Sequence, residues 1–141
     1  MTDEAPDSPA PPDARHRRHY TLEQAMAVRG WVAERVRWVR DAQARLVAMG
    51  PSATDAIAAL DPGLGGTYPG GEIARSLVEL SRAAGELEAV DIVLRDVDRG
   101  LIDFPAMRGG VEVYLCWLVD DEESIGFWHL PEAGFAGRRP L

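Results

Sequence analysis

The sequence predicts an α+β domain in which two long amphipathic helices, paired as an antiparallel hairpin, cover one face of a four-stranded antiparallel β-meander. Three observations predict it. Apolar residues recur at three- and four-residue intervals over 25–46 and again over 73–87. Between 92 and 130 the pattern changes to short runs of β-branched and aromatic residues, separated by Gly and Asp at hairpin spacing. With 141 residues, 46% of them hydrophobic, the chain suits one core.

Residues 1–19 are proline-rich and charged, without an apolar pattern, the composition of a disordered tail. His16 and His19 are expected to be solvated there. Thr21 and Gln24 form a capping box that starts the first helix, expected over 21–49. Ala25, Val28, Val32, Val36, Val39, Ala42 and Leu46 make its apolar stripe, and Gly50-Pro51 ends it. Trp31 and Trp38 lie beside that stripe and are read as packing.

An alanine-rich stretch over 51–60 has room for two helical turns. The Gly/Pro-rich loop 61–71 follows. It lacks the Lys-Ser/Thr of a phosphate-binding loop, so it is read as a connector. A role as lid over a small ligand is the other use of such a loop. Ile73, Leu77, Leu80, Ala84 and Leu87 mark the second helix, expected over 72–89.

Loop lengths suggest a register for the sheet, over about 92–130. Leu115 is placed opposite Trp128, Tyr114 opposite His129, Phe104 opposite Val113, and Arg95 opposite Leu101. Alternation then sorts the side chains. Ile92, Leu94, Ile102, Phe104, Val113, Leu115, Trp117 and Trp128 form a wholly apolar face, expected beneath the helices. The opposite face is mixed and includes Arg95, Asp103, Glu112, Tyr114, Cys116, Leu118, Ile125, Phe127 and His129. Residues 131–141 are too rich in Gly and Pro for regular structure. Phe135 is expected to anchor them on the sheet, and Arg138 or Arg139 to meet the acidic run 120–123.

Composition removes several functions. All fifteen basic residues are arginine, which excludes lysine Schiff-base chemistry. A single cysteine excludes a disulfide framework and any multi-cysteine zinc site. The net charge is −8, and the 111–130 segment carries five acids and no base, a poor surface for phosphates. Nucleic acid is therefore not an expected partner. Neither a signal peptide nor a membrane span is legible, so the expected location is cytoplasmic with no membrane partner.

The runs RDVDRGLIDFPA, VYLCW, IGFWH and GFAGRRPL, with the opening YTLEQA, resemble the uncharacterised bacterial family called domain of unknown function 2203. The resemblance covers 20–49 and about 90–141. It implies no activity, substrate, cofactor or catalytic residue. It does imply that Asp96, Gly100, Asp103, Phe104, Cys116, Trp117, Trp128, His129 and Arg138 belong to a pattern.

Three constellations remain. Asp96-Val97-Asp98-Arg99-Gly100 has the opening rhythm of a calcium loop, but its Gly falls one position early and no distal Glu follows, so a tight turn explains it. Leu101, Leu118, Ile125 and Phe127 gather as an apolar cluster at one end of the mixed face, covered either by the C-terminal tail or, if exposed, by a second copy or a protein partner, which makes it a candidate interface. Arg95, Asp103, Tyr114, Cys116 and His129 share that face and form the candidate functional surface. The expected register separates Asp103 from His129 by two strand spacings, roughly 9–10 Å, with Tyr114 between. The function is unknown from sequence. The leading expectation is a non-enzymatic interaction or self-association module; the alternative is a small metal-binding protein or enzyme using Asp103, Tyr114, Cys116 and His129. Whether a metal or other cofactor is bound is not legible.

Overall fold

The computed structural model describes residues 10–50 and 70–141; the expected short helix at 51–60 and nearly all of the loop 61–71 lie outside them. The elements are α1 (Leu22–Ala27), α2 (Arg29–Ala48), α3 (Gly70–Ala89), β1 (Val93–Asp96), β2 (Leu101–Arg108), β3 (Val111–Leu118), β4 (Phe127–His129), a 3-10 turn (Phe135–Gly137) and β5 (Arg139–Pro140). The sheet has five strands in the order β1-β2-β3-β4-β5, all antiparallel. The fifth strand corrects the expected four. Pro140 and Arg139 pair with Phe127 and Trp128, and the Leu141 N–H donates to the Gly126 carbonyl. Pro140 lacks an N–H, which costs nothing at a sheet edge.

The expected first helix is two. The capping box forms as the sequence suggests, Thr21 accepting from the Gln24 N–H and Gln24 from the Thr21 N–H. At Val28 the backbone leaves the helical region (φ −98°, ψ 4°). The Arg29 guanidinium takes the Met26 carbonyl there, and Gly30, a weak helix former, follows. Periodicity of apolar side chains cannot register such a break, because the stripe continues across it. Gly50 at φ 60° closes α2. The helices α2 and α3 run antiparallel, since Arg35 reaches Glu86 while Arg45 reaches Ser76 and Glu79. No described helix is long and apolar enough to cross a membrane.

Asp91 ends α3 at φ 59°, with the Ile92 N–H on the Leu87 carbonyl and the Asp91 N–H on that of Glu88. That is a Schellman closure in which Asp takes the place usual for Gly. A carboxylate is unfavourable at the negative end of a helix. It is held there by donors from the N-terminal segment, described below.

The β2–β3 register differs from expectation by two residues. Arg108 faces Val111 across a two-residue turn, Gly109 and Gly110, both at positive φ. Two such glycines make the tight turn whose twist matches the strands. Phe104 therefore lies opposite Leu115, and Asp103 opposite Cys116. A shift of two preserves the faces. Across β3–β4 the expected pairs stand: Tyr114 with His129 and Leu115 with Trp128. Between β1 and β2 a bulge after Leu94 puts Asp96, in place of Arg95, opposite Leu101.

The turn Asp96–Leu101 is closed by its first side chain, the Asp96 carboxylate accepting the Arg99 N–H three residues on at 3.1 Å. Arg40 from α2 fills the space over Gly100, donating to the carbonyls of Val97 and Asp98 and pairing with Asp120. A methyl at Gly100 would lie 2.7 Å from that guanidinium.

Helices and apolar face enclose one core: Ala25, Val32, Val36, Leu87, Ile92, Ile102, Phe104, Val113, Leu115 and Trp117 among its buried members, with Trp128 packed against it. Ile125 belongs to this core too, a correction to its expected place on the mixed face. Strand β4 begins only at Phe127, so alternation cannot be carried back to residue 125. The Ile125 N–H instead points to the Met26 sulfur. Trp31 packs on the core as expected, while Trp38 is 41% exposed with Arg35 stacked between the two rings.

Candidate functional site

On the far side of the sheet from the helices, the mixed face is covered by the two terminal segments. This corrects two expectations. Residues 10–19, read as disordered, lie against the sheet, and residues 1–9 are outside the described ones. Strand β1 pairs no further along β2 than Asp103, leaving the edge beyond it open, and the Tyr20 N–H takes the Pro105 carbonyl there. Tyr20 itself sinks into the helix-side core and donates to the Val90 carbonyl. The preceding residues reach the mixed face. His16 and His19, expected in solvent, have side chains only 16% and 13% exposed.

Glu112 and Asp91 account for this. Glu112 accepts the N–H groups of Arg15 and His16 at 2.9 and 3.2 Å and the His19 imidazole at 2.8 Å. Burial alone would raise its carboxyl, but those three donors outweigh it and hold Glu112 below the usual carboxylate range. Asp91 accepts His16 Nδ1 at 3.2 Å and the Arg18 N–H at 3.1 Å. His16 Nε2 meets the Tyr114 hydroxyl at 2.7 Å.

At the other end Phe135 covers the apolar cluster. Leu101, Cys116 and Leu118 are buried together, with Phe127 and Phe135 packed against them. Of the two covers expected for this cluster, the C-terminal tail is the one present in the chain, and Ile125 is not part of the cluster. Arg138 fixes the cover: its guanidinium stacks on Phe127 and Phe135 and pairs with Glu122 at 3.1 Å, the contact expected between this tail and the acidic run.

Between the two covers lie Asp103, Cys116 and His129, 2%, 0% and 2% exposed. Their ligand atoms all fall within 4.8 Å of one another. The expected separation of Asp103 from His129 is overturned: Asp103 Oδ1 sits 3.0 Å from His129 Nε2. The physical reason is the two-residue register shift. It puts the small Cys116 opposite Asp103, with Tyr114 beside it along β3, so the acid and the imidazole meet over a thiol. Tyr114, placed by the sequence between them, stacks on the His129 ring with centroids 5.4 Å apart and turns its hydroxyl to His16.

The surrounding bonds orient each group. His129 Nδ1 lies 2.8 Å from the Leu130 carbonyl and Nε2 lies 3.0 Å from Asp103 Oδ1, so the ring is oriented by an acceptor at each nitrogen. Asp103 Oδ2 accepts from Arg95 Nε at 2.8 Å, and the Arg95 guanidinium lies over the Tyr114 ring at 4.9 Å. Burial, then the negative charge of Asp103, push the Cys116 thiol up to about 11, against the opposing pull of Arg138. It is therefore a thiol at neutral pH, no activated nucleophile. Burial likewise raises the Tyr114 phenol, despite Arg95 nearby. No buried side-chain polar atom among the described residues lacks a partner.

Sequence reasoning singled out all five of Arg95, Asp103, Tyr114, Cys116 and His129, and the structure brings them into one cluster. It placed Glu112 on this face without giving it a role, and it missed Asp91, His16 and His19 as parts of the same surface. The available signal was the parity of Glu112, an acid in an otherwise buried strand, facing a histidine-bearing segment of the same chain.

Fold and site together define a small α+β domain with a sealed Asp/Cys/His cluster under its chain termini. The chain belongs to the family described as uncharacterized conserved protein (DUF2203), whose model matches residues 18–141 and so includes all three cluster residues. No curated protein and no solved structure matches the chain.

Proposed function

We propose that the protein binds a single transition-metal ion of the Zn2+ class through Asp103, Cys116 and His129. One observation carries this reading: a carboxylate oxygen, a thiol sulfur and an imidazole nitrogen, all from buried residues, converge within 4.8 Å. Tetrahedral Zn2+, with bonds of about 2.0–2.3 Å, keeps its ligand atoms roughly 3.3–3.7 Å apart. The 3.0 Å between Asp103 and His129 opens by a few tenths of an ångström on binding, while the widest pair, within 4.8 Å, draws in by about 1 Å. Mixed N, O and S donors suit Zn2+ or another borderline-soft ion better than Mg2+ or Ca2+.

The surroundings support the same reading. The Leu130 carbonyl holds the imidazole with Nε2 outward, and Arg95 holds the far oxygen of the carboxylate. The thiol proton leaves when the ion enters, so binding releases a proton and tightens as pH rises. Sealed under both terminal segments, the ion would join three strands and so act in folding rather than in turnover.

The test is metal content by mass spectrometry on protein purified without chelators, followed by Co2+ titration in the visible range. One equivalent with a tetrahedral thiolate spectrum is expected, and its loss in His129→Ala and Cys116→Ser. Folded wild-type protein that takes up no Zn2+ or Co2+ at micromolar concentrations ends the reading.

A further inference from the structure

The cluster has no open path to solvent beside Tyr114 and His129, which are 3% and 2% exposed, yet a bound ion needs one. The segment over this side differs from the rest of the fold in how it is held. Of residues 10–19 none is buried; the first buried side chain is Tyr20. The hold is polar, and it ends on four groups. Glu112 takes Arg15, His16 and His19; Asp91 takes His16 and Arg18; the Tyr114 hydroxyl takes His16; and Glu132 takes the exposed Arg15 guanidinium at 3.4 Å. His16 also packs its ring edge-on against Tyr114, at 5.5 Å, and Tyr114 in turn covers the His129 ring.

We propose that residues 11–19 form a strap hinged at Tyr20, whose release from Glu112 and Asp91 opens the Asp103/Cys116/His129 site to metal exchange. This deepens the metal-binding reading and rests on it. Tyr20 is the hinge because its side chain is locked in the helix-side core and its N–H is spent on Pro105. No side chain of residues 11–19 is buried, so opening requires the exchange of hydrogen bonds for water and the loss of the His16–Tyr114 ring contact, with no side chain drawn out of the core. The C-terminal cover is the worse door, since lifting it exposes Phe135 and Phe127 and unstacks Arg138.

The experiment uses the full chain, wild type and Glu112→Ala, with two readouts. Hydrogen exchange at the amides of Arg15 and His16 reports the strap with or without metal. The rate at which Co2+-loaded protein loses its colour to excess chelator reports the site. In Glu112→Ala the two amides are expected to exchange at least tenfold faster and Co2+ loss to accelerate by a similar factor, with the stoichiometry still one. Faster amide exchange with unchanged Co2+ loss would overturn the strap while leaving the site standing. Amides already unprotected in wild type would overturn it as well. Wild-type protein that never takes up Co2+ sinks the metal reading and the gate with it, whatever the amides show. Should Glu112→Ala fail to fold, Asp91→Asn weakens the other anchor, with the Arg18 amide as the exchange reporter and the same outcomes for Co2+ loss.

Discussion

The two faces of one sheet are held by opposite means. Against the helices, Phe104, Ile102, Val36 and Leu87 are fully or almost fully buried in a continuous apolar core. On the other face Asp103, Cys116 and His129 are buried just as deeply, but beneath irregular segments that contribute charges, imidazoles and single N–H groups. Apolar burial is non-directional and grows with area. Buried polar groups must each find a partner at a set distance, and leaving one unmet costs more than the contact gains. The helix side therefore tolerates a register error at sequence level. On the polar side everything depends on which residue lies opposite which.

The comparison breaks most visibly on the helix side. Phe104→Ala should cost about 3–5 kcal/mol in urea unfolding, because a ring at the centre of the core leaves a cavity. The polar side should yield less but more selectively. Asp103→Asn weakens two charge-assisted contacts at once, to His129 and Arg95, and should cost about 1.5–3 kcal/mol. If Asp103→Asn proves as mild as a surface change, the polar face is not held by its network.

The strap gives a pH signature. Glu112 is held below its ordinary value of 4.5. Its stabilisation is therefore full above that value and lost as pH falls through the lower one in the folded protein. Amide exchange at Arg15 and His16, corrected for intrinsic rates, should accelerate as the solution is acidified below about 4.5. Glu112→Gln should remove that dependence, and a strap that stays protected at low pH in wild type contradicts it. The thiol sharpens the contrast further. With Cys116 wholly buried and its thiol pushed up to about 11, iodoacetamide at pH 8 should modify native metal-free protein at least a hundredfold more slowly than unfolded protein. The smallest effect belongs to the outer helix surface: Trp38→Ala, 41% exposed in the parent, should change stability by no more than about 1 kcal/mol.

Much of this was legible in advance. Thr21 with Gln24 announces a helix start, Gly50 a helix end, and the alternation of β2 and β3 assigns every residue of those strands to its face. Local chemistry decides such things: a cap or a left-handed residue acts within a few positions. Ile125 shows the limit, because alternation holds only while the backbone is extended, and the strand starts two residues later.

By itself, then, the sequence determined the α+β class, the two apolar helical stripes and the parity that sends Trp128 inward and His129 outward. Parity survives any shift by two, so pattern alone could not place Asp103 beside His129. Only the tertiary structure chose that register, through the paired glycines at 109 and 110, and only it laid residues 10–19 over the polar face. Residues 10–19 carry no periodic apolar signal, because what binds them is a few directed hydrogen bonds to Glu112 and Asp91. Those bonds join positions ~70 to 100 residues apart in the chain, beyond the reach of any local pattern.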